Sequence, residues 1–116
     1  MTGGDRMRRV DAAMRHVVGD AVAQDLKDPR VGFVTVTDVK TSADLRHARV
    51  YVSVLGSPAE QEASLEGLRS AHGYLQRKVA AELHLKNTPE LRFVLDDTAE
   101  RAFRVEELLH DEEGHG

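Results

Sequence analysis

The chain has 116 residues, 41% of them hydrophobic, with no cysteine, no tryptophan and a formal net charge of −4. That length fits one domain with a modest core of valine, leucine and alanine, and the absence of cysteine excludes disulfide and thiol chemistry. No apolar run exceeds strand size, so no signal peptide or membrane-spanning helix is legible, and a soluble protein of the reducing cytoplasm is expected. The charge is unevenly spread. Residues 1–86 carry 13 Lys+Arg against 11 Asp+Glu, whereas residues 87–116 carry 3 against 9. The globular part is therefore mildly basic and the acid is gathered at the C-terminal end.

In chain order, Met7, Val10, Met14, Val17, Val18, Ala21, Val22 and Leu26 recur at three- and four-residue steps. This spacing predicts a helix over 5–26 with Asp5 as its cap. Asp28-Pro29 ends it, because the residue before proline is pushed towards extended geometry. The β-branched run 31–40 reads as a strand, 41–44 as a turn and 45–55 as a second strand of an antiparallel hairpin. Alternation places Ala48, Val50, Val52 and Val54 on one side and His47, Arg49, Tyr51 and Ser53 on the other. Ser57-Pro58-Ala59-Glu60 predicts a capping box with proline in the first turn. Asn87-Thr88-Pro89 breaks the chain again, and Leu91, Phe93 and Leu95 alternate in a third strand. Asp97 or Thr98 caps a short last helix with Phe103, Leu108 and Leu109, and the polar end DEEGHG is expected to be disordered. The order α-β-β-α-α-β-α predicts an α+β layer, three strands with helices on one face.

The stretch RSAHGYLQRKVAAEL at 69–83 poses a local problem. Leu65, Leu68, Leu75, Val79 and Leu83 share one helical face, but a straight helix puts His72 in that stripe and Gly73 in a helix interior. Glycine there costs about 1 kcal/mol against alanine, and a buried imidazole needs a partner. Two arrangements fit: one continuous helix with a satisfied core histidine, or a break at Gly73. The break is favoured, with Gly73 left-handed as a C-cap and His72 turned to solvent.

No catalytic constellation stands out. The six histidines form neither H-E-x-x-H nor a paired E-x-x-H set, and there is no phosphate loop, nucleophile elbow or Ser-Lys motif. Neither metal nor cofactor is expected, nor a small-molecule substrate. Arg8, Arg9 and Arg15 on the first helix and Arg69, His72, Arg77 and Lys78 around the break supply cations of the kind that bind phosphate. Charge alone favours a solvated helix face, because surface charges are common. Arg30 is either an RNA contact or the partner of a carboxylate in the Asp28-Pro29 turn, and Arg46 and Arg49 share that ambiguity. Most aromatics fall at core-phase positions, which leaves Tyr74 beside the break as the candidate for base stacking.

The residues in order resemble the ribosome-binding factor A family. The resemblance is carried by Asp28-Pro29-Arg30, VTVTDV at 34–39, Asp44-Leu45 with Ala48 and VYVSVLG at 50–56. It continues in AHGYL at 71–75, PELRFVLD at 89–96 and Arg104-Val105 with Leu108-Leu109. It implies a type II KH-like fold with a three-stranded mixed sheet, in which a kink at Ala71, His72 and Gly73 replaces the G-x-x-G loop of ordinary KH domains. It implies one RNA-binding domain over 1–110 with an acidic tail at 111–116, acting as a monomer and not as an enzyme. It further implies binding to the free small ribosomal subunit and its 16S rRNA late in maturation, with importance in the cold. The RNA-facing set it favours is Arg8, Arg9, Arg15, Arg30, Arg69, His72, Gly73, Tyr74, Arg77 and Lys78. Two departures are visible: Gln76 stands where the family commonly has arginine, and the C-terminal end is short and acidic. The alternative function is a protein-binding adaptor without RNA contact.

Overall fold

A computed structural model describes residues 2–96, with side chains from residue 4 onward. The predicted last helix and the acidic tail lie outside the described residues. Within them the order is α1 (Thr2–Gln24), β1 (Val34–Thr41), β2 (His47–Val54), α2 (Pro58–Ser70), α3 (His72–Leu83) and β3 (Glu90–Leu95). The strands form one mixed sheet in the order β1-β2-β3, antiparallel between β1 and β2 and parallel between β2 and β3. An α+β layer with helices on one face is the architecture the alternation predicts.

The core is built by that face. Met14, Val18 and Ala21 of α1, Leu68 of α2, and Leu75 and Val79 of α3 bury against Val39, Ala48, Val50, Val52, Leu91 and Phe93 of the sheet. Helix α1 begins at Thr2, earlier than its polar pattern suggests. Asp5 is therefore not the cap but a first-turn residue, where its charge suits the helix dipole. The helix closes two residues before the predicted 26.

Strand β1 starts at Val34 and not at 31, because Arg30 to Gly32 are held by another element. Ser64 of α2, buried to 1% exposure, accepts from the Gly32 N–H and donates to the Arg30 carbonyl, both at 3.2 Å. Gly67, one turn on, lets this loop approach: a Cβ there would stand 2.6 Å from Val31 Cγ2. A bulge between Val36 and Asp38 shifts the register of β1 on β2.

The capping box is present as predicted. The Ser57 Oγ accepts from the Glu60 N–H at 3.2 Å, and the Glu60 Oε1 accepts from the Ser57 N–H at 3.0 Å. Donation from Ser57, first from its backbone N–H and then from its side chain, holds the Glu60 carboxyl below its ordinary pKa.

The break in the 69–83 stretch is real, but its chemistry differs from the glycine cap expected. Ala71 is the interrupting residue, at φ −87° and ψ 6°. Its N–H donates to the carbonyls of Gly67 and Leu68 at 3.1 Å, and its carbonyl accepts from Leu75 N–H at 3.0 Å. One residue thus ends α2 and starts α3 with its backbone groups satisfied. Gly73 lies in the first turn of α3 without positive φ, so no left-handed glycine is involved. His72 does not turn fully to solvent but is half-buried.

Gln76 settles how β3 is seated. Its Nε2 donates to the Pro89 carbonyl at 3.1 Å and its Oε1 accepts from the Leu91 N–H at 2.7 Å. An arginine has no acceptor and is unable to make the second bond. Gln76 is therefore a clamp between α3 and the start of β3.

Candidate nucleic-acid interface

The kink residues sit at the end of α2 beside the edge strand β3. His72 and Arg69 share a depression with Glu90, Arg92 and Val94 of that strand. Arg69 Nη1 lies 3.5 Å from Glu62, an exposed pair of the kind that contributes little to stability. A Cβ on Gly73 would meet only the Arg77 guanidinium, at 3.4 Å. The glycine thus lets Arg77 lie back along the helix one turn before it. Arg77 is exposed, and no carboxylate lies within 4 Å of it among the described residues.

Tyr74 and Lys78 face the other way, towards the C-terminal end of α1. The Tyr74 hydroxyl donates to Asp25 Oδ2 at 2.5 Å, and this bond pushes the phenol pKa up. Lys78 Nζ lies 3.9 Å from the same oxygen and 3.8 Å from Glu82. Lys78, Asp25 and Glu82 line a groove with Asp20 and His16, whose Nε2 is 3.4 Å from Asp20, and there carboxylates outnumber the permanent cations. Tyr74 is 39% exposed, and its hydroxyl is already committed.

Arg30 is also committed. Its Nε and Nη2 donate to the Asp28 carboxylate, the shortest contact at 2.6 Å, and Nη2 reaches Ser70 Oγ at 2.9 Å. Asp28 is held below the usual carboxylate range by this bonding and Arg30 is more firmly protonated. The pair ties the Asp28-Pro29 turn to the last residue of α2, which is the carboxylate-partner arrangement for this arginine.

The first-helix arginines do not join the kink. Arg8 and Arg15 border a depression with Asp11, Asp38 and Lys40 at the β1 edge of the sheet. There Asp11 Oδ1 accepts from the Thr41 N–H at 2.9 Å, locking α1 to that edge. Arg9 instead borders an apolar groove with Val10, Ala13, Leu83 and Leu85. The predicted single cluster is thus divided among the β1 edge, the α1–α3 groove and the β3 corner.

A second set is only partly legible in the sequence. Lys40 of β1, Arg49 of β2 and Arg92 of β3 occupy one rung of the sheet, in register Lys40↔Arg49 and Arg49↔Arg92. All three are exposed on the uncovered face. Phe33 is 81% exposed beside Leu55 at the far end of the same hairpin. Alternation points Arg92 outward, but the parallel register that sets it against Arg49 is not written locally.

A family model described as ribosome-binding factor A matches residues 6–109. This chain belongs to the ribosome-binding factor A family. A curated relative from Anaeromyxobacter sp., named ribosome-binding factor A, is 46% identical over the whole of this chain and 98% of its own length. Among solved structures, the NMR structure of a Thermotoga maritima candidate ribosome binding factor A is similar at 36% identity. Its TM-score is 0.70, and the match covers 77% of this chain and 85% of that one. A Thermus thermophilus ribosome binding factor A homology model, fitted into the cryo-EM map of a 30S complex, is 26% identical. The TM-score there is 0.63, over 75% of this chain and 91% of that one. These likenesses bear out the α+β fold with its mixed sheet. Among the described residues no helix is long and apolar enough to cross a membrane, and no group of three or more His, Asp or Glu side chains is arranged to hold a metal ion.

Proposed function

We propose that this protein binds the free small ribosomal subunit, contacts its 16S rRNA and assists late maturation without catalysing a reaction. The observation that carries this reading is the likeness to the Thermus thermophilus relative placed in a 30S complex, over three quarters of this chain. In this reading the protein acts as a cytoplasmic monomer, with one domain over 1–110 and an acidic tail that takes no part in RNA contact. It supports 16S rRNA processing and growth in the cold. Arg8, Arg9, Arg15, Arg69 and Arg77 are exposed and able to meet phosphate. Arg30, His72, Gly73, Tyr74 and Lys78 support that surface while holding the kink and the α1–α3 groove. Co-sedimentation is the test. The protein should travel with free small subunits and not with assembled ribosomes, and cells lacking it should accumulate unprocessed 16S ends and grow slowly when cold. Equal pelleting with both particles, or an affinity indifferent to salt, would overturn the reading in favour of a protein-binding adaptor.

A further inference from the structure

The uncovered face of the sheet carries an arrangement that folding alone does not favour. Lys40, Arg49 and Arg92 stand on three adjacent strands in one rung, about 5 Å apart from strand to strand. Like charges directly opposite one another destabilise a sheet, and at physiological salt charges closer than about 8 Å are only partly screened. Lys40 has Asp38 at 3.6 Å. For Arg49 and Arg92 no carboxylate lies within 4 Å among the described residues. Arg49 is held in place by Tyr51, its guanidinium carbon 5.8 Å from the ring centroid. Glu90, in register with His47 on the next outward rung, is the nearest acid in sequence to Arg92.

The rung also links what α1 and the kink leave apart. Lys40 borders both the Arg8–Arg15 depression and the shallow basin that contains His47, Arg49 and Arg92. Arg92 borders both that basin and the Arg69–His72 corner. Cations therefore follow one another from the β1 edge, across the open face, to the kink. The carboxylates beside this path are Asp5 at Arg8, Asp11, Asp38 at Lys40, Glu90, and Glu62 at Arg69; none lies within 4 Å of Arg49 or Arg92 among the described residues.

We propose that the Lys40–Arg49–Arg92 rung binds the sugar-phosphate backbone of RNA on the small subunit, carrying one strand of phosphates between the α1 edge and the kink. This rests on the proposed subunit binding and adds a surface to it. Three cations side by side with no base-reading side chain between them match a chain of phosphates and give affinity without sequence choice.

The test is the full chain with Lys40→Gln, Arg49→Gln and Arg92→Gln together, titrated against free small subunits and against an RNA duplex alone. Because three phosphates are then no longer neutralised, the slope of log affinity against log salt should become shallower by about 2–3, and low-salt affinity should fall by about tenfold or more. The charge-keeping triple Lys40→Arg, Arg49→Lys, Arg92→Lys should retain the wild-type slope. If the Gln triple melts early, Arg92→Gln alone should still flatten the slope by about 0.7–0.9. Unchanged affinity and slope for the Gln variants would overturn the proposal. So would weaker subunit binding at an unchanged slope, which marks a protein partner on this face. Failure of the wild type to bind subunits would instead sink the proposed function, and the duplex titration would still decide the rung.

Discussion

Along β2 the side chains of Ala48, Val50, Val52 and Val54 lie under the helices, whereas those of Arg49, Tyr51 and Ser53 stand on the uncovered side. Neighbouring residues on β3 divide in the same way: Leu91 is 2% exposed and Arg92 projects outward. The two faces show that cations carry different meanings by position. Below the C-terminal end of α1, Lys78 has Asp25 and Glu82 within 4 Å; on the open face no carboxylate lies within 4 Å of Arg49 or Arg92 among the described residues. A net charge of −4 conceals both facts.

The sharpest way to break this division is to compare residues one apart. Leu91→Ala should cost about 2–5 kcal/mol, because it leaves a cavity under α2 and α3. Its effect on the salt dependence of RNA binding should be nil once the fold is secured by low temperature. Arg92→Gln should shift stability by under about 0.5 kcal/mol. Denaturant melts of both variants decide the point, and similar losses would mean that the open face is structural after all.

Next in size is the clamp on the covered side. Gln76→Leu leaves the Leu91 N–H and Pro89 carbonyl without their partner and should cost about 1–3 kcal/mol. Gln76→Arg should fare no better, since it lacks the acceptor. An arginine variant as stable as wild type in urea would show that this side chain belongs with the exposed cations.

The kink gives a smaller effect of opposite sign. Gly73 is helical and faces only the far end of the Arg77 side chain, so Gly73→Ala should raise stability by about 0.5–1 kcal/mol. A lower melting temperature would mean that the kink needs glycine for conformation.

Smallest is the response to acid at the start of α2. Glu60 has a depressed pKa, so its contribution is present above the ordinary carboxylate value of about 4.3. It is lost as pH falls through the folded value. Glu60→Gln keeps an acceptor for the Ser57 N–H but no longer titrates, and should flatten the acid limb of the stability profile slightly. An identical limb in thermal melts would show the cap to be indifferent to charge.

Much of this was legible from sequence because it is local. A serine three residues before a glutamate makes a capping box with no help from the rest of the chain. Alternation in 47–54 separates the two faces of β2 because a strand has a two-residue period. The break within 69–83 was legible from a histidine and a glycine at odds with their helix, and the family resemblance from motifs in order. What only the tertiary structure decided depends on segments far apart in the chain. The interruption falls on Ala71 and not on Gly73, because the helix pair is bent by packing Leu68 and Leu75 into one core. Arg30 is tied to Ser70 and Tyr74 to Asp25 through contacts that span 40 and 49 residues. Gly67 is required by a loop from the first third of the chain. Arg92 meets Arg49 only through a parallel register set across the whole α2–α3 crossover. No local pattern encodes that register, because a parallel pair is closed by helices and not by a turn.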